Sequence, residues 1–151
     1  MMNTDVKRIL IVDDSPKDVE LTIAALTEKN LANEVDVAED GEEALDYLYK
    51  RGKFADYKNG NPAVILLDIK MPKMNGIEVL RHIRSEPRFK FIPIIMVTSS
   101  REDKDLIECY KLGANSYVVK PVDIVQFINS IKAVGQYWAV INQLPPGSIH
   151  N

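Results

Sequence analysis

The sequence predicts an α/β fold built on an open parallel sheet of five strands, with helices on both faces. Two observations lead there. Short apolar runs alternate with longer amphipathic stretches in a β-α pattern repeated five times, and such alternation implies parallel strands joined by right-handed crossovers. The runs from the third onward are rich in Val and Ile and apolar throughout, as strands covered on both faces are. A closed barrel would need about eight such units, so an open sheet fits five better.

Taken in order, the strands fall at Ile9 to Val12, Glu34 to Ala38, Ala63 to Leu67, Ile92 to Val97 and Tyr117 to Val119. The second alternates polar and apolar residues, which suits an edge strand. Helix-start signals stand between the runs. Ser15 is followed by Pro16 and then Asp18, a cap, a first-turn proline and an acid three positions on. Asp40 with Glu43, Asn75 with Glu78, and Ser100 with Asp103 repeat the cap-and-acid spacing. These signals predict helices near 15–29, 40–52, 75–86, 101–112 and 122–141. The loop Gly52 to Pro62 is long and polar, and the tail after Asn142 carries Pro145, Pro146 and Gly147.

The bulk numbers bound the function. With 151 residues the chain has room for one domain with a proper core, expected over 1–142, followed by a tail over 143–151. Hydrophobic residues are 46%, charged residues 27% and the formal net charge −3, with no concentrated basic footprint of the kind a nucleic-acid binder carries. One cysteine, Cys109, cannot close an internal disulfide and reads as a quiet buried residue. The N-terminus MMNTDVKRIL lacks a secretory pattern, and the apolar runs are far too short to cross a bilayer. A cytoplasmic protein that binds neither DNA nor membrane is the expectation.

Open parallel sheets bind ligands beyond the carboxyl ends of their strands, so the residues that end each strand matter most. The first strand ends in Asp13 and Asp14, the third in Asp68, the fourth in Thr98, and the fifth in Lys120 before Pro121. Three carboxylates, a hydroxyl and an ammonium would meet at one edge. Clustered carboxylates repel, and a hard divalent cation relieves them. Magnesium takes oxygen ligands and is held by one or two carboxylates plus a phosphate, leaving one carboxylate free to attack phosphorus. Lys120 and Thr98 would then stabilise the transferring group. Each residue also has an ordinary reading: an Asp pair can end a strand in a turn, Thr98 can cap one, and Lys120 can be a solvated lysine.

The segments ILIVDDS (9–15), VILLDIKMPKMNG (64–76), IPIIMVTS (92–99) and YVVKP (117–121) resemble the receiver domain of two-component response regulators. The resemblance covers about residues 7–135. It implies a flavodoxin-like sheet of order 2-1-3-4-5. It implies that Asp68 accepts a phosphoryl group from the phosphohistidine of a sensor histidine kinase. It implies that Asp13, Asp14, Asp68 and the backbone oxygen of Lys70 hold Mg2+, and that Thr98 and Lys120 assist. Tyr117, three residues before the lysine, would be the rotameric switch that reshapes the face of the fourth helix, fifth strand and fifth helix. Here Lys70 stands at a position that supplies only a backbone oxygen, so its side chain is free to tune the site.

Three further segments, LYKRGKFADYKNGNP (48–62), SEPRFKFIP (85–93) and SIKAVGQYWAVINQLPP (130–146), are similar to single-domain regulators that serve phytochrome-type histidine kinases. That likeness implies a homodimer through the last helix, where Phe127, Ile131, Val134, Trp138 and Ile141 recur at helical spacing. The broad apolar stripe is equally readable as core. With no output domain expected after the fifth helix, signalling would pass by protein contacts or a phosphorelay. Two competing functions remain open. A magnesium phosphatase with an aspartate nucleophile would normally carry a second acid two residues on, where Lys70 stands. An inert interaction module would be expected to have lost one member of the acceptor set.

Overall fold

A computed structural model of the chain describes residues 8–28, 34–58, 60–120, Val125 and Asn129. Five strands, β1 (Arg8–Val12), β2 (Glu34–Ala38), β3 (Val64–Leu67), β4 (Ile94–Thr98) and β5 (Ser116–Val119), form one parallel sheet in the order β2-β1-β3-β4-β5. Four helices lie between them: α1 (Pro16–Glu28), α2 (Gly41–Tyr49), α3 (Gly76–Ser85) and α4 (Asp103–Lys111). Of the expected fifth helix only Val125 and Asn129 are described, both helical, and the Trp138 stripe lies outside the described residues.

The period-two alternation of strand side chains sorts the apolar residues into two cores. Leu10, Val12, Ile65, Leu67, Ile94 and Met96 face α2, α3 and α4, together with Ala44, Leu48, Val79, Leu80, Ile83 and Cys109. Ile9, Ile11, Val64, Leu66, Ile95, Val97 and Val118 face the other way, toward Leu26, Val19 and Ile23 of α1. Continuous apolar strands therefore serve two layers at once, which explains the absence of alternation in the third and fourth runs.

The caps that predicted the helix starts mostly form. The Asp18 amide donates to Ser15 Oγ at 3.3 Å, and the Glu43 amide to Asp40 Oδ1 at 2.9 Å. Asn75 and Glu78 make a reciprocal capping box. Ser100 does not cap the fourth helix as expected. Glu102 is the N-cap, and the Ser100 hydroxyl instead donates to Asp105 Oδ2 at 2.6 Å. Helix α2 ends three residues earlier than predicted. Lys50 turns left-handed at φ 58° and a 3-10 turn follows over Gly52–Phe54, with Gly52 at φ 61°. His82 is half-buried, with its Nε2 2.9 Å from the Tyr49 hydroxyl. The fourth strand starts at Ile94 rather than Ile92 and runs one residue further, to Thr98.

Candidate functional site: an acidic pocket closed by one lysine

Parallel pairing fixes where the strand-end residues meet. Val12 pairs with Leu67, and Leu67 with Met96, so Asp13 and Asp68 leave the sheet side by side and Thr98 ends the neighbouring strand. The Asp68 amide donates to Val12 O at 3.0 Å and the Asp13 amide to Ala38 O at 3.1 Å, which extends the ladder to both acids. Helix α3 packs directly behind Asp68. A Cβ on Gly76 would lie 2.0 Å from the Asp68 carbonyl oxygen, so only glycine fits this close approach.

Asp13 and Asp68 are buried and Asp14 is exposed. Carboxylate oxygens of all three lie within 4.8 Å of one another. Lys120 reaches into the same space. Its Nζ is 2.8 Å from Asp13 Oδ2, 2.9 Å from Asp18 Oδ2 and 3.3 Å from Asp68 Oδ2. The position of Lys120 follows from β5, because its amide donates to Thr98 O at 2.8 Å.

The charges shift one another. Burial raises the Asp13 carboxyl above its ordinary range, against the opposing pull of the Lys120 hydrogen bond. The bond to Lys120 lowers Asp18. Burial alone would lower Lys120, but its bonds to Asp13 and Asp18 and the charge of Asp68 outweigh this and raise it, so the ammonium stays charged.

Thr98 is fully buried, and its hydroxyl oxygen accepts from the Ser100 amide at 3.3 Å. Tyr117 is half-buried, and its hydroxyl donates to the Ser100 carbonyl at 3.2 Å. Ser100 thus touches both Thr98 and Tyr117, the residue expected to be the switch. The Lys70 amide lies 3.4 Å from Asp68 Oδ1, at the long limit of a hydrogen bond, and its exposed ammonium is 3.9 Å from Glu102. Asp13, Asp14, Asp68 and Lys120 therefore share one pocket, Thr98 borders it, and Tyr117 lies one loop away. Pro121 lies outside the described residues.

Sequence reasoning missed Asp18 as a member of the site and read it only as a helix-start acid. The signal was present. Only Ser15 separates the acid pair from the first helical turn, so an acid there has to stand over the same edge.

The donor set fits magnesium in kind. All donors are hard oxygens, and an octahedral ion with bonds of about 2.1 Å spans about 4.2 Å between opposite ligands, close to the present spread. Asp13 and Asp68, buried and unable to shed their mutual repulsion into water, gain most from such an ion.

A doubly wound five-stranded sheet with a lysine-closed acidic pocket at its carboxyl edge defines a CheY-like signalling fold. The chain belongs to the response regulator receiver domain family, whose model matches residues 9–132. It is 32% identical to Response regulator Rcp1 of Synechocystis over 92% of this chain and 93% of that protein. A Mn(2+)-bound form of Rcp1 superposes with a TM-score of 0.74 at 31% identity, over 87% of this chain and 94% of that one. The bacteriophytochrome response regulator RtBRR is 51% identical, with a TM-score of 0.80 over 97% of this chain and 88% of that one. The phosphorylated cyanobacterial phytochrome response regulator RcpA is 33% identical, with a TM-score of 0.76 over 93% and 99% of the two chains. The chain is thus a response regulator receiver related to phytochrome response regulators, a family to which a phosphoryl-accepting role belongs.

Proposed function

We propose that Asp68 takes a phosphoryl group from the phosphohistidine of a phytochrome-type histidine kinase, with Mg2+ held by Asp13, Asp14, Asp68 and the Lys70 carbonyl. The observation that carries this reading is the convergence of Asp13, Asp68 and Lys120 within hydrogen-bond reach. When bound, the ion offsets the charge of the acids and of the incoming phosphoryl oxygens.

The residues of the chain do the rest. An Asp68 carboxylate oxygen forms the new O–P bond as the P–N bond to the donor imidazole breaks, and the bonding pair leaves with that nitrogen. Gly76 and the β3 ladder fix the Asp68 backbone, so the carboxylate is held ready for attack. Lys120 neutralises charge on a phosphoryl oxygen, and the Thr98 hydroxyl donates to another. Ser100 would follow as Thr98 moves, and with it the hydrogen bond from Tyr117. The switch is a shift between two states, biased by new charge-assisted bonds. The domain is taken to extend over 1–142 with 143–151 as a tail, in the cytoplasm, acting through protein contacts or a phosphorelay. A homodimer through the last helix belongs to the same proposal.

Incubation with acetyl phosphate and Mg2+, followed by intact mass measurement, tests the acceptor. One phosphoryl adduct that disappears in Asp68→Asn is expected. Turnover of diverse phosphate esters without an adduct would instead mark a phosphatase, and no reaction an inert module.

A further inference from the structure

An ammonium has three N–H donors, and in this pocket three carboxylates take them: Asp13 at 2.8 Å, Asp18 at 2.9 Å and Asp68 at 3.3 Å. The three acceptors are not equivalent. Asp13 and Asp68 belong to the oxygen cluster that could hold a metal ion, whereas Asp18 does not. Asp18 also comes from a different element, the first turn of α1. Its backbone there is fixed by Pro16 and by the bond from its amide to Ser15 Oγ.

We propose that Asp18 is a positioning residue that holds the Lys120 ammonium at the pocket while the other two carboxylates are engaged elsewhere. The inference rests on the acceptor role of Asp68 and deepens it. Lysine carries its charge on a flexible four-carbon stem, and ordering that stem costs entropy. With Asp13 and Asp68 turned to a cation, the ammonium loses two of its three acceptors and is repelled by the new charge. Asp18 stays available, anchored on a helix rather than a loop. It keeps Lys120 beside Asp68, so a phosphoryl oxygen meets a donor already in place. The bond depresses the Asp18 carboxyl, so the anchor is charged at neutral pH.

The test compares wild type, Asp18→Ala and the isosteric Asp18→Asn at saturating Mg2+ and acetyl phosphate. Adduct formation is followed by intact mass, and Lys120 acylation in the Mg2+-loaded protein by peptide mass. Both variants are expected to phosphorylate roughly threefold to tenfold more slowly, the range for losing one charge-assisted contact at a partly exposed site. The Mg2+ concentration for half-maximal rate should move less than about twofold, because Asp18 is not a ligand. Lys120 should be acylated faster in both. Rates at or above wild type would overturn the proposal, as would slower rates with unchanged Lys120 acylation, which would mean a structural role in α1. Should Asp18→Ala lower the melting temperature, Asp18→Asn, which keeps the side-chain shape, decides. A wild-type protein that forms no adduct would instead overturn the acceptor reading itself.

Discussion

At the edge where the strands begin, Arg84 donates to the carbonyls of Gly113 at 3.0 Å, Lys90 at 3.1 Å and Ile92 at 2.8 Å, and to Asn115 Oδ1 at 3.1 Å. At the edge where they end, Lys120 faces the carboxylates of Asp13, Asp18 and Asp68, with Asp14 beside them. Both edges use one cation to join segments distant in sequence, but their balances differ. Arg84 meets neutral oxygens whose hydrogen bonds it completes, and none of these acceptors is a carboxylate competing for the same cation. Asn115 finishes the same corner by accepting from the Ile94 amide at 2.8 Å. Lys120 meets an excess of negative charge, partly buried, that it cannot cancel alone. The first edge is arranged for stability. The second retains unresolved repulsion, on which the cation and phosphoryl group of the proposed function would act.

The largest effect should separate the two edges. Arg84→Ala removes four hydrogen bonds to loop acceptors and should cost about 2–4 kcal/mol in urea unfolding. The folded fraction should still phosphorylate at the wild-type rate. Loss of less than half a kilocalorie, roughly the level of an ordinary surface change, would remove the stabilising role given to this edge.

Asp13→Asn should do the opposite. Because burial raises the Asp13 pKa in the fold, its ionised form is disfavoured there. The stability linked to this group is complete below the ordinary carboxylate value of 3.8 and is lost as pH rises through the raised value. At neutral pH the metal-free variant should therefore be more stable than wild type, by on the order of 1 kcal/mol. The difference should close below about pH 4. A less stable variant at neutral pH would mean that the Lys120 bond outweighs burial.

Cys109 probes the interior between the edges. Burial pushes its thiol up to about 11 from an ordinary 9.0. Its share of stability is full below 9.0 and declines as pH rises toward about 11. Alkylation at neutral pH should be slow in the native protein and reach normal thiol rates once it is unfolded. The smallest effect belongs to the exposed Arg8–Glu34 pair at 3.2 Å, where Glu34→Gln should cost under about 0.5 kcal/mol.

Much of this was legible in the sequence, for identifiable reasons. A parallel sheet places successive strand ends along one edge, so Asp13, Asp68, Thr98 and Lys120 could be grouped from strand boundaries alone. The caps at Ser15, Asp40 and Asn75 were readable because capping is local. Features that depend on distant partners were not. Asp18 joins the site through a lysine 102 positions away. Arg84 gains its role from carbonyls on separate loops. Ser100 prefers the Asp105 carboxylate to a helix cap because both are buried together. Helix α2 stopped early because Lys50 adopts a left-handed turn that periodicity does not reveal.

A magnesium titration followed by thermal unfolding tests the unbalanced pocket most directly. Wild type should melt at rising temperature and saturate, with a gain of about 2.7 kcal/mol once the ion reaches a hundred times its dissociation constant. Asp13→Asn should respond weakly. A melting temperature that ignores magnesium in the wild-type protein would contradict the account.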